Sequence, residues 1–198
     1  YTIMDKTLFT DLSTGCFEKR FLAYMNAVGL ERLTINYSGG GDSGGMDHME
    51  FHPAIDSKVE SGIQSDLEED LCNPIYNRHG SFADGGGYYV DGEVTYRSKD
   101  KTVYISGTDH TTEYGEWNDE EDNYESEETS EEEFEELLYD GNKRNKRRDN
   151  EETDFRFVYL YARDFAKSRL PEELHNRMLT EATAKDDEYA TRYIKEIK

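Results

Sequence analysis

No apolar stretch in this sequence approaches the ~18 residues that a bilayer span requires, so no membrane-crossing helix is expected. No secretory signal is read either, and the cytoplasm is the expected compartment. The chain opens at Tyr1 rather than Met, which reads as an N-terminus trimmed or left out. Cysteine is scarce. Cys16 and Cys72 stand 56 positions apart, form no Cys-x-x-Cys pair and read as two buried, reduced thiols. Positive charge is also short, with 23 Lys and Arg against 45 Asp and Glu and a formal net charge of -22. Such a chain repels a nucleic-acid backbone, so direct nucleic-acid binding is not expected. Its natural partners are basic: a cationic protein surface, a nucleic-acid-binding protein, or metal ions.

What is present balances these shortages. Hydrophobic and charged residues each make up 34% of the chain, a mixture between globular and disordered composition. Fifteen tyrosines within a 13% aromatic share argue for a folded core with strongly charged segments attached.

Residues 11–29 read as one helix, with Leu12, Cys16, Phe17, Phe21, Tyr24, Met25 and Val28 on one stripe and Gly29 as its stop. Arg32 to Tyr37 alternates as a strand, and Met46 to His52 reads as its hairpin partner. Residues 57–77 look helical, Ser57 and Glu60 forming a capping box and Pro74 ending or kinking the helix. After a glycine-rich turn over 80–87, Tyr88–Tyr96 and Thr102–Tyr114 read as a second hairpin. Phe155, Phe157, Tyr159 and Tyr161 alternate as a strand over 154–162, and one or two helices follow Pro171.

From Glu116 to Asp140 the composition changes, with fourteen Asp or Glu and no Lys or Arg. Residues 116–128 read as a solvated acidic linker. Ser130 and Glu133 match a capping box, and Phe134, Leu137 and Leu138 form a short stripe, so 130–140 reads as an acidic amphipathic helix. Lys143 to Arg148 is a basic cluster that either folds back on the acidic run or stays a flexible loop. The candidate interface for a basic partner is Glu120, Glu121, Glu128, Glu131, Glu132, Phe134, Glu135 and Leu138, with Trp117, Tyr124 and Tyr139 as aromatic anchors.

The loop Gly39-Gly40-Gly41-Asp42-Ser43-Gly44-Gly45 carries the Gly-Asp-Ser-Gly-Gly string of the trypsin-like nucleophile segment. A serine nucleophile needs a base within reach and a group to orient it. No histidine precedes Ser43, and the 42 residues before it are too few for a first protease barrel. His48, His52, His79, His110 and His175 leave other chain orders open, but no nucleophile elbow is present. A phosphate cradle is equally disfavoured, because the loop has no Gly-Lys-Ser ending and Asp42, Asp47 and Asp84 would repel an anion. The simpler reading of Gly41, Asp42, Ser43 and Gly44 is a hydrogen-bonded turn that can line a site. His48, Glu50 and His52 share one strand face and, with Asp42, form a candidate divalent-metal set. Their plainer reading is the wet side of a hairpin.

The segments Ile35 to Gly44, Asp84 to Gly87, Gly92 to Tyr96 and Thr102 to Ile105 together carry a resemblance. Over roughly residues 12–115 the chain resembles a domain-of-unknown-function family of small bacterial, plasmid and phage proteins. The resemblance implies an α+β fold and a mobile-element setting, and no activity.

The fold class is therefore α+β: an antiparallel sheet of hairpins with helices on one face, plus a C-terminal strand and helices. Residues 1–115 are the expected core domain, 116–153 an acidic-then-basic insert, and 154–198 an element docking on the core. The leading functional expectation is a non-enzymatic acidic protein binding a basic surface as inhibitor, adaptor or nucleic-acid mimic, with no cofactor. The alternatives are a metal-dependent or nucleotide-handling enzyme using the Gly39–Gly45 loop with His48, Glu50 and His52, and a virion or assembly component that self-associates.

Overall fold

The computed structural model describes residues 4–80, 82, 87–143, 153–166, 172–185 and 187–196. In chain order the elements are α1 (Lys6–Ser13), α2 (Phe17–Ala27), β1 (Arg32–Gly40), β2 (Ser43–His52), α3 (Ser57–His79), β3 (Tyr88–Arg97), β4 (Thr102–Tyr114), β5 (Trp117–Asn118), β6 (Asn123–Tyr124), β7 (Glu127–Asp140), α4 (Arg156–Tyr161, continuing as a π-turn over Ala162–Ala166), α5 (Glu172–Ala184) and α6 (Glu188–Glu196). The fold is α+β, with helices and an antiparallel sheet. Two compact units share the chain. One is helical and comprises Tyr1–Glu31, Ser98–Lys101 and Gly141–Lys198; the other comprises Arg32–Arg97 and Thr102–Asp140.

In the helical unit the expected single helix over 11–29 is two helices. Gly15 turns the chain between them at φ 102, a left-handed value that glycine adopts without a Cβ clash. Asp5 caps α1 by accepting from the Thr7 N–H. The expected strand at 154–162 is a helix. Phe157, Val158, Tyr159 and Leu160 are four consecutive buried residues, so no alternation between wet and dry faces exists to make a strand. A continuous apolar run fits a buried helix equally well, and here the Phe157 ring settles among Phe17, Phe21 and Tyr24 at 5.3–5.6 Å. Arg20 is buried beside it; its Nε donates to the Gly15 carbonyl, and its guanidinium lies 3.5 Å from Asp154. In α5, the buried His175 Nε2 donates to the Ile194 carbonyl of α6.

The other unit is a five-stranded antiparallel sheet in the order β2-β1-β3-β4-β7, with a two-stranded β5-β6 extension. Alternation decides its dry face: Leu33, Ile35, Tyr37, Met49, Phe51, Val90, Val94, Tyr96, Val103 and Ile105 are buried, and their sequence neighbours are mostly more exposed. Helix α3 packs against β2 and buries Ile63, Leu67, Leu71 and Ile75, the spacing of four that the sequence shows. Pro74 lies inside α3, and the helix continues past it to His79. Both cysteines are buried, as expected, and neither is in a disulfide.

The acidic segment is the main correction. Residues 130–140 are strand, not helix, and 116–128 form the hairpin tip rather than a linker. Strand β7 pairs with β4 from Thr102↔Asp140 to Tyr114↔Glu127, which satisfies a row of β4 backbone groups that would otherwise form an open edge. That long-range pairing outweighs the local capping-box signal. It also splits the supposed helical stripe: Phe134 points to the α3 face, Leu137 opposite Tyr104 to the other, and Leu138 falls at a register shift. Arg144–Arg148 of the basic cluster, and Asp84, Gly85 and Gly86 of the second glycine turn, lie outside the described residues. No described helix is long and apolar enough to cross a membrane.

Candidate functional site

The longest continuous feature of the sheet unit is the β4–β7 hairpin, residues 102–140, which contains no Lys or Arg. Strand β3 accompanies β4 only as far as Tyr88↔Thr111, with one further bond from Thr112 N–H to the Gly87 carbonyl. Beyond that point the chain runs on as a two-stranded arm. Its rungs are Gly115 N–H to Ser126 O, Glu125 N–H to Glu116 O, and the Trp117↔Tyr124 and Asn118↔Asn123 pairs. The Asn118 side chain closes the tip by accepting from the Glu120 and Glu121 N–H groups.

Isolated two-stranded ribbons are only marginally stable in water, so this arm needs a fastener. Three rings supply it: Tyr114 and Tyr124 lie 4.7 Å apart, and Trp117 meets Tyr124 edge-on at 5.0 Å. Each ring remains 44–49% exposed. The cluster therefore holds the arm while leaving about half of its aromatic surface open to solvent.

Carboxylates line both sides of this hairpin. Glu127, Glu131, Glu133 and Glu135 share the sheet face away from α3; Glu128, Glu132 and Glu136 share the α3 face. Two of these are paired: Glu136 with Arg78 at 2.7 Å and Glu131 with His110 Nδ1 at 3.2 Å. The residues named from the sequence are thus partly dispersed. Glu120 and Glu121 sit at the tip, Glu131 and Glu135 on the open face, and Glu128 and Glu132 on the other. Phe134 is not a docking anchor, because its ring carries the Arg78 guanidinium at 4.0 Å and meets His79 edge-on. Tyr139 is buried and cannot anchor a partner either. The open face also holds a shallow depression of about 500 Å³, bordered by Asn36, Ser38, Tyr89, Asp91, Glu93 and Thr108.

On the opposite face lies a polar cluster that no local spacing in the chain announces. The His79 side chain is 2% exposed; its Nε2 is 2.7 Å from the Tyr37 hydroxyl and its Nδ1 is 3.0 Å from the Tyr88 hydroxyl. Tyr88 in turn donates to Asp109 at 2.6 Å. That last bond fixes the protons. With its own hydrogen committed to Asp109, Tyr88 accepts from Nδ1–H, leaving Nε2 to accept from Tyr37. Burial holds the His79 pKa below its ordinary value, Asp109 opposing and Arg78 reinforcing the shift. Burial pushes the Tyr37 phenol well up, so it stays a donor. Phe82 stacks on the imidazole at 5.8 Å. A neutral imidazole with both nitrogens occupied has no position for a substrate or an ion, so this cluster orders the core.

The glycine loop is a two-residue hairpin turn. Gly41 and Asp42 take φ 57 and 73, both left-handed, between the paired Gly40 and Ser43. Asp42 N–H donates to the Phe82 carbonyl, and the Phe82 ring lies so close over Gly39 and Gly44 that a Cβ at either would fall 2.4 or 2.6 Å from it. Among the described residues no hydrogen bond joins the Ser43 hydroxyl to a histidine. His48, Glu50 and His52 are exposed on β2, on one face as expected. Asp42 lies in the turn, outside β2 and six residues before His48. Among the described residues no three His, Cys, Asp or Glu side chains gather into a metal-holding group.

The chain matches no protein-family model, no curated protein and no solved structure.

Proposed function

We propose that this protein is a non-enzymatic interaction module that engages a basic protein surface through its acidic β4–β7 hairpin. One observation carries the reading: the acidic segment is folded into a registered, aromatic-fastened arm instead of a solvated spacer. A spacer requires neither strand pairing nor half-exposed rings. Carboxylates along a defined ribbon steer a cationic partner in from a distance, and the rings supply short-range contact. A phage or mobile-element setting, and use as an inhibitor or nucleic-acid mimic, belong to this proposal on the strength of the resemblance and the charge.

The test is binding to a cationic protein bait across a salt series. Affinity should fall at least tenfold between about 50 and 300 mM NaCl, as screening shortens the reach of exposed charges. Changing Glu120, Glu121, Glu125 and Glu128 to Gln together should weaken binding at low salt and flatten that dependence. An affinity unchanged by salt would sink the reading. The metal-enzyme alternative finds no support in the spread of His48, Glu50 and His52 along β2 and of Asp42 in the turn before it. The assembly alternative drew on an aromatic strand at 155–161 together with the C-terminal helices; Arg156–Tyr161 is a largely buried helix instead of that strand.

A further inference from the structure

Strand β7 ends the sheet, with β4 on one side and, among the described residues, no sheet neighbour on the other. From Glu127 to Glu136 it contains neither Pro nor Gly, and its pairing with β4 is uninterrupted over that stretch. Long, regular edges are pairing templates, which most proteins shorten, twist or cover. Here the edge is left regular and given seven glutamates among ten residues. In a second copy pairing on this edge, glutamates would face glutamates, and like charges directly opposite are destabilising. The same charges favour a strand of opposite sign.

We propose that Glu127–Glu136 is an acceptor edge for an extended, lysine- and arginine-rich segment of a protein partner, which adds to the sheet as a sixth strand. The proposal rests on the basic-partner reading above and specifies its geometry. Glutamates occupy both faces along the edge: Glu127, Glu131 and Glu133 on one, Glu128, Glu132 and Glu136 on the other. A strand places side chains on both faces at the same pitch, so a segment with consecutive basic residues sets a cation opposite a carboxylate on each face, with Cβ atoms about 5 Å apart. A basic helix reaches one face only and leaves the edge N–H and C=O groups unpaired. Main-chain bonds then give affinity, and charge selects the partner.

The experiment uses the full chain and a labelled ten-residue peptide with Lys or Arg at six positions and Val or Thr at the rest. Two further peptides of the same sequence carry N-methyl groups at alternate residues, in opposite phases. N-methylation removes backbone donors and leaves charge unchanged. One phase should lose at least tenfold in affinity and the other should stay within about threefold, while amide exchange slows at alternate residues of 127–136. Equal binding by both methylated peptides, with salt dependence intact, would overturn the added strand and leave the basic-partner reading standing. Protection on β2 instead of β7 would overturn it too. No binding by any peptide at low salt would count against both. If substituting Arg144, Lys146, Arg147 and Arg148 with Ser speeds exchange of 127–136 in the peptide-free chain, the occupant is the chain's own basic segment and the partner proposal falls.

Discussion

Replacing Tyr37 with Phe removes a single oxygen from the interior and tests the proton assignment around His79. In the wild type Nε2 accepts from Tyr37 at 2.7 Å inside a side chain that is 2% exposed. With the hydroxyl gone, that nitrogen keeps its lone pair and loses its donor, and water has no ready access. An orphaned buried acceptor costs about 1–3 kcal/mol, more than the net worth of the bond itself. The ring cannot simply exchange tautomers, because Nδ1 must donate to a Tyr88 oxygen whose hydrogen is held by Asp109. His79→Phe alone leaves the buried Tyr37 hydroxyl without its acceptor at similar cost. The double variant removes both ends of one bond, so its loss should fall short of the sum of the singles by at least 1 kcal/mol. Urea unfolding of the three variants, followed by circular dichroism, measures this coupling. The imidazole also gives a pH signature. Its folded pKa lies below the unfolded 6.5, so the unfolded state takes up the proton first. The contribution is complete above pH 6.5 and diminishes as pH falls through that value. Subtracting the His79→Phe curve from the wild-type curve should isolate that slope from the other histidines. Additive single-site losses, or a wild-type-minus-variant difference independent of pH between 5 and 8, would refute the assignment.

Gly92→Ala should destabilise by about 1–3 kcal/mol, since its Cβ would lie 2.3 Å from the Ser106 carbonyl and 2.7 Å from the Tyr37 hydroxyl. Gly45→Ala, whose nearest neighbour would be 3.6 Å away, should stay within about 0.5 kcal/mol; thermal midpoints compare the two. Asp154→Asn should cost about 1–3 kcal/mol in the helical unit by removing the carboxylate charge 3.5 Å from the buried Arg20 guanidinium. Burial raises the Asp154 pKa, but Arg156, a backbone N–H and Arg20 outweigh it and hold it below 3.8. Its stabilisation is therefore present above pH 3.8 and lost as pH falls through the lower folded value, and acid unfolding of wild type against Asp154→Asn would show it. Trp117→Ala should speed amide exchange across 115–126 while exchange at Val94 and Ile105 stays unchanged; equal effects on both would mean that the arm and sheet unfold together.

Both early hairpins were legible because each strand has one dry face and each turn announces itself chemically, as Gly41-Asp42 does between alternating runs. The α3 stripe was legible for the same reason. Reading failed where the pattern was degenerate. Phe157 to Tyr161 is an unbroken run of apolar and aromatic residues, so period alone cannot separate a buried strand from a buried helix. Strand β7 was harder, because few of its residues are buried. Glutamates on both faces erase alternation, and Ser130 with Glu133 imitates a helix start. Its strand character lies in β4, which needs an edge partner. Of the residues named for an interface, Glu120, Glu121, Glu131 and Glu135 stand exposed on the hairpin, while Phe134 turns toward α3, as the register dictates. The His79 cluster draws Tyr37, Tyr88 and Asp109 from three strands, a convergence with no local spacing to reveal it.

Trp117 is the only tryptophan in the chain, and it sits in the arm, half open to water and edge-on to Tyr124. Indole emission from the unlabelled protein is therefore a report from one place. A partner that covers the rings should move that emission to shorter wavelength, and an arm that frays should move it to longer wavelength. The surface assigned to recognition carries its own optical gauge.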